Sequence, residues 1–209
     1  MPIPAEPIGS IPRPAALIEG VRDVGAARIS QERWQSLCDQ AVRDTIERFE
    51  ATGSPVITDG EQTKPSFATY PIHGLTNLAS DGVVIPFADG HVRQLPRLTA
   101  GPFRYQTYAS SYLETAKKYA HAPVKQAVIS ASALSLLYPQ NGIDGYSRAA
   151  FLEDLVREAD QDIRRCLLGG AHNVQIDFTE ARLSVKLDPT KRLLNDLVAL
   201  NSGGTARPR

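Results

Sequence analysis

No apolar run in this chain approaches the roughly 20 residues that span a bilayer. The first residues, Met1-Pro2-Ile3-Pro4-Ala5-Glu6, carry neither a basic stretch nor a long apolar one, so neither a membrane helix nor a secretory leader is expected. Charge of one sign is not in excess either, since Lys plus Arg and Asp plus Glu both number 23. That balance argues against a broad basic surface for nucleic acid or for an anionic membrane. Cysteine is scarce: Cys38 and Cys166 are the only two, too few for a disulfide scaffold and in keeping with a reducing, cytoplasmic address. The four histidines, His73, His91, His121 and His172, include no His-x-Cys and no His-x-x-x-His pair, so no zinc motif is legible. No phosphate-cradling or dinucleotide glycine loop is present; Gly169-Gly170 and Gly203-Gly204 read as a helix stop and a tail.

What is present is alternation of strand and helix over 209 residues, the size of one domain or most of one. Ser30 can cap a helix reaching about Ala51, with Trp34, Leu37, Cys38, Ala41, Val42, Ile46 and Phe49 on one stripe and Gly53 and Pro55 closing it. A strand follows at Val56 to Thr58. Residues 62 to 96 are irregular; within them Val83 to Phe87 and Val92 suggest a small β-hairpin turning at Asp89-Gly90. The repeat then resumes with a weak strand at Leu95 to Thr99, a helix at Ser110 to Ala120, and a strand at Val124 to Ser130. Ser147 can cap a long helix that ends at Gly169-Gly170, a strand follows at Asn173 to Asp177, and a helix opens at Asp188-Pro189. That makes about five β/α units, whose long crossovers imply a parallel sheet. A doubly wound sheet and a (β/α)8 barrel both fit this pattern.

The chemistry sits at strand ends. Pro55-Val56-Ile57-Thr58-Asp59-Gly60-Glu61 and Asn173-Val174-Gln175-Ile176-Asp177-Phe178-Thr179-Glu180 are apolar runs that finish on carboxylates, and Ile8-Gly9-Ser10 ends an early extended stretch. Residues at the carboxyl ends of parallel strands line ligand sites in α/β folds. An amino-acid ligand needs carboxylates for its ammonium and N–H or hydroxyl donors for its carboxylate; Glu61 and Asp177 offer the first, Ser10 the second. The competing reading is that such acids cap the next helix or pair with a nearby Arg, as Asp177 would with Arg182. Cys38 and Cys166 lie within helical patterns and read as small core residues. Tyr105, Tyr108, Tyr112 and Tyr119 read as packing rather than as a stacking platform.

Taken in order with Val124-Lys125-Gln126-Ala127-Val128-Ile129-Ser130, Ser135-Leu136-Leu137-Tyr138-Pro139 and Gly145-Tyr146-Ser147-Arg148, these segments resemble the cobalamin-independent methionine synthase family. The likeness is closer to its stand-alone branch, related to the catalytic C-terminal domain, and runs from about residue 7 to residue 201. The resemblance implies an incomplete (β/α)8 TIM-type barrel with a hairpin insertion as residues 1–201, and a flexible tail at residues 202–209. It implies transfer of a methyl group from a folate to homocysteine in methionine synthesis, and a thiol or amino-acid substrate held by Ile8, Gly9, Ser10, Glu61 and Asp177. The family's zinc ligands (a His-x-Cys pair, a later Glu and a later Cys) follow the fifth strand and have no match here. No metal site, no cofactor and no catalytic residue is therefore assigned in this chain, and the zinc belongs to the family. Two further readings stand beside this one: a related barrel enzyme acting without zinc in specialised metabolism, and a non-catalytic remnant. Five of eight units leave the first and fifth strands as open edges, through which self-association is expected.

Overall fold

The computed structural model describes residues 5–86, 90 and 92–203. The chain divides into two compact units. The first comprises Met1–Phe67, Ala109–Ala127 and Arg164–Gln175; the second comprises Ala68–Tyr108, Val128–Ile163 and Ile176–Arg209.

In the first unit, helix α1 (Ala15–Gly25) packs on α2 (Gln31–Ala51). The sequence reading had no helix before Ser30, because Pro12-Arg13-Pro14 reads as extended and α1 buries only Leu17 and Gly20. Gly20 is what lets the helices approach, since a Cβ there would lie 2.8 Å from the Leu37 Cδ1 atom. Helix α2 follows its stripe: Ser30 accepts from the Arg33 N–H at 3.2 Å, and Cys38, Ala41, Val42, Thr45 and Ile46 are buried. Gly53 stops it with φ of 73°, a left-handed value that costs glycine nothing. Val42 and Ile46 pack against Ile57, Val124 and, from α3 (Ser110–Lys117), Leu113 and Ala116. Full burial of each large apolar side chain contributes about 1.5–3 kcal/mol.

The run at Val56 to Thr58 pairs with the next strand through one parallel bridge, Ile57 to Val124. Strand β5 (Lys125–Ile129) in turn pairs with β6 (Asn173–Asp177). His172 N donates to Val124 O and Ser130 N to Asp177 O, so these two strands also run in one direction. Every residue of β5 is buried, whereas β6 is partly exposed along its length.

In the second unit, four short strands between residues 78 and 98 pair as antiparallel ribbons. Strand β2 (Val84–Pro86) pairs with β3 (Val92–Gln94), which is the expected hairpin; Phe87 to Asp89 and His91 lie outside the described residues. Strand β1 (Leu78–Ala79) pairs with β4 (Arg97–Leu98), also antiparallel. The segment Leu95 to Thr99 is therefore not a strand of the parallel repeat. Leu95 N donates to Val83 O and Thr99 N to Asn77 O, which ties it into the same excursion as the hairpin. Helix α4 (Arg148–Leu168) begins as expected, with Ser147 Oγ accepting from Ala150 N at 3.1 Å. The short helix α5 (Glu180–Leu187) was not expected, and α6 (Arg192–Gly203) packs on it. Asp188 accepts from Leu193 N and Thr190 N, so the Asp188-Pro189 signal supplies the turn before α6 rather than its first residues. Near the end of α6, Ser202 Oγ donates to Val198 O.

Candidate functional site

The turn Asp59-Gly60-Glu61-Gln62 follows the Ile57 segment at its carboxyl end, in the first unit. Gly60 has φ of 65° and Glu61 φ of 54°; for a non-glycine residue the second value is uncommon and is tolerated where the surroundings fix it. Those surroundings are specific. Thr58 Oγ1 donates to Gly9 O and accepts from Gly60 N, Asp59 Oδ1 accepts from Glu61 N at 2.9 Å, and Ile11 N donates to Gly60 O. The Arg13 guanidinium donates to the carbonyls of Glu61, Gln62 and Lys64. These bonds hold Ile8-Gly9-Ser10 against the turn, and a Cβ on Gly9 would lie 3.6 Å from Glu61 Oε1.

The Glu61 carboxylate is itself buried and paired. Lys64 Nζ lies 3.1 Å from Glu61 Oε1, with side chains only 4% and 1% exposed respectively. Lys64 also donates to Ala127 O of β5 at 2.7 Å and lies 5.9 Å from the centre of the Tyr112 ring. Two buried opposite charges in contact, with Thr58, Asp59, Gln62 and Gln126 buried in the same unit, make a polar centre. The sequence reading chose Glu61 and passed over Lys64, which stands three residues on but is not at a strand end.

In the second unit, Ser130 and Asp177 meet at the carboxyl ends of β5 and β6 through the Ser130 N to Asp177 O bond. The acid engaged there is Glu180: its Oε1 accepts from Ser130 Oγ at 2.6 Å and from Ser132 Oγ. Asn201 closes the network, donating to Ser132 Oγ and accepting from Ser132 N. Among the residues expected to hold a ligand, the structure thus brings Gly9 to Glu61. It leaves Ile8 at 79% exposure and Ser10 exposed, and it half-buries Asp177.

A second set of acids was missed. Asp154, Glu158 and Asp162 lie four apart on α4 and all are buried. Asp154 accepts from Phe103 N and Tyr146 OH, Glu158 from Tyr105 N and Tyr108 OH, and Asp162 from Tyr70 OH. Burial, reinforced by the Asp162 charge, pushes the Tyr70 and Tyr105 phenols well above their ordinary range. The signal was available, because these acids repeat at the same spacing as Phe151, Leu155 and Ala159, which a search for apolar stripes follows instead. The set thus holds Tyr70, Tyr146 and residues 103–108 to α4.

Cys38 and Cys166 are buried and neither forms a disulfide. His121 is exposed beside Glu50, whose carboxylate accepts from the His121 and Ala122 N–H groups; His73 and His172 are exposed, and His91 lies outside the described residues. Among the described residues no three His, Cys, Asp or Glu side chains are grouped to hold a metal ion, and no helix is long and apolar enough to cross a membrane.

No protein-family model and no curated protein sequence matches the chain. Solved structures do. A B12-independent methionine synthase from Shewanella sp. W3-18-1, in complex with selenomethionine, superposes with a TM-score of 0.72 at 17% identity, over 99% of this chain and 59% of its own. A Listeria monocytogenes protein assigned as a vitamin-B12-independent methionine synthase superposes with a TM-score of 0.68 at 20% identity, over 99% of this chain and 62% of its own. The chain therefore spans about three fifths of these structures and shares the fold of that part.

Proposed function

We propose that the chain binds a sulfur- or selenium-bearing amino acid of the methionine type, as part of a methyltransferase-like (β/α)8 arrangement. The observation that carries this reading is the juxtaposition of Gly9 with the buried Glu61 turn, in a chain whose fold matches methionine synthases along nearly its whole length. The Shewanella structure is a complex with selenomethionine, which gives the ligand class. Carboxylates at the turn meet the ammonium of such a ligand, and Ser10 with its backbone N–H meets the carboxylate.

The zinc ion implied by the family resemblance does not fit the residues present. Burial, aided by the Asp39 charge, pushes the Cys38 thiol up to about 11, Cys166 is completely buried in α4, and a zinc site needs thiolate and imidazole ligands close together. No transfer step is assigned to these residues, and the chain alone is expected not to move a methyl group onto homocysteine. Calorimetric titration of L-methionine into the purified chain tests the reading. Saturable one-to-one binding that L-leucine does not reproduce is expected. No saturation at ~10 mM, a concentration that fills even a site of about 1 mM affinity, would overturn it.

A further inference from the structure

Strand β6 lies at the end of its sheet. Among the described residues it pairs with β5 and with no other strand. Where β5 is buried throughout, β6 is partly exposed along its length, with Ile176 at 39%. The Asp177 carbonyl is turned to β5, where it accepts from Ser130 N. Backbone N–H and C=O groups of successive strand residues point to opposite edges, so those of Val174 and Ile176 face the edge away from β5. Natural sheets blunt an edge of this kind with Lys, Pro or a bulge, and Asn173-Val174-Gln175-Ile176-Asp177 contains neither Lys nor Pro.

The strand complements itself. Laid antiparallel on a second copy about a two-fold axis at Gln175, it sets Val174 opposite Ile176 and Asn173 opposite Asp177. Val174 and Ile176 are the residues whose backbone groups face outward, so each such pair exchanges its N–H···O=C bonds. On one face a β-branched pair then stands on either side of the axis. On the other face each Asn173 amide can donate to an Asp177 carboxylate, and no charge meets its like. Moving the axis to Val174 or Ile176 sets one end of β6 opposite residues that lie outside the strand. Gln175 is therefore the register that pairs the whole strand.

We propose that the chain forms a two-fold dimer by antiparallel pairing of β6 with β6 of a second copy, in the order β5-β6-β6-β5. The contact is isologous and covers the β6 edge of both copies, so assembly stops at two. It does not depend on which ligand the chain takes.

Sedimentation velocity of the purified chain, with Ile176→Pro and Gln175→Cys beside it, tests the dimer. Proline at 176 removes an outward N–H and leaves the bonds to β5 in place, a position that edge strands accept. The wild type is expected to pass from monomer to dimer as concentration rises, and Ile176→Pro to weaken the dimer by about tenfold or more. Gln175 faces its own copy across the axis as a non-hydrogen-bonded pair, with Cα atoms about 4.5 Å apart, inside the roughly 4.4–6.8 Å that a disulfide spans. Gln175→Cys is therefore expected to oxidise to a covalent dimer, whereas Asn173→Cys, set opposite Asp177, is expected not to crosslink. A wild type that is monomeric at every concentration overturns the proposal, and so do species that grow beyond a dimer. A dimer that Ile176→Pro leaves unchanged, or a crosslink through Asn173→Cys in place of Gln175→Cys, also overturns it. If the variants do not fold, hydrogen exchange of the wild type decides. The Val174 and Ile176 amides are expected to gain protection as concentration rises, and constant protection counts against the dimer.

Discussion

Replacing Lys64 by Met removes one member of a buried ion pair while keeping most of its volume. Lys64 is 1% and Glu61 4% exposed, and their charged groups lie 3.1 Å apart. The variant strands Glu61 in a layer that includes Gly9 and Ala127, and breaking a buried pair from one side costs about 3–5 kcal/mol. Glu61→Gln removes the carboxylate charge 3.1 Å from the Lys64 ammonium and keeps its bond to Ala127 O, so its cost falls in the same range. The double variant Lys64→Met with Glu61→Gln removes both charges of the pair together, and its destabilisation is expected to fall well below the sum of the two. The coupling energy, with its sign, is the quantity of interest. Urea unfolding followed by circular dichroism reads it. With a slope of about 2 kcal/mol per M, each single variant moves the midpoint down by ~1.5–2.5 M, a large part of the ~5–15 kcal/mol available to a domain. Single-variant losses below about 1 kcal/mol, typical of exposed pairs, or additive losses in the double variant, would refute the claim that this pair is a buried, coupled centre.

Three other outcomes are expected. The N–H groups of Ala122 and His121 hold the Glu50 carboxyl below its ordinary range; its folded value is depressed, so the stabilisation is full above the unfolded value of about 4.3 and is lost as pH falls through the lower folded one. Thermal unfolding from pH 7 to pH 3 should show the gap between wild type and Glu50→Gln constant above about pH 5 and closing below it; a gap independent of pH would contradict this. With its thiol raised to about 11, Cys38 should be only ~0.1% thiolate at pH 8 and resist a disulfide reagent until the chain is unfolded; rapid labelling of the native protein would show the site to be open. Ile176, Val185, Leu193 and Val198 of the second unit are 37–44% exposed, so sedimentation velocity is expected to show association that grows with concentration and weakens in Ile176→Lys; a monomer at every concentration would contradict it.

Local chemistry made much of the fold legible. The Ser30 and Ser147 caps, the helix-stopping Gly53 and the alternation around Val124 to Ser130 and Asn173 to Asp177 act over a few residues, and the corresponding elements form as read. Helix α1 escaped because a proline-flanked start hides it and only Leu17 and Gly20 are buried. Leu95 to Thr99 was assigned to the wrong sheet because strand propensity carries no information about partner or direction; Val83 and Asn77 decide that from a distance. At the candidate site, the strand-end rule found Glu61 but not what occupies it. Lys64, three residues on and pointing back to β5, and the bare oxygen of Asp59 are consequences of burial, and burial is a property of the folded chain. The acids of α4 were missed for the opposite reason: they share their helix's periodicity with the apolar stripe.

Selenium anomalous diffraction from crystals of the unlabelled chain soaked with L-selenomethionine tests the central claim most directly. One selenium peak is expected in the unit that holds Gly9 and the Asp59-Gly60-Glu61 turn, with the ligand nitrogen directed at those carboxylates. Density for selenium elsewhere on the molecule, or none at ~10 mM ligand, would contradict it.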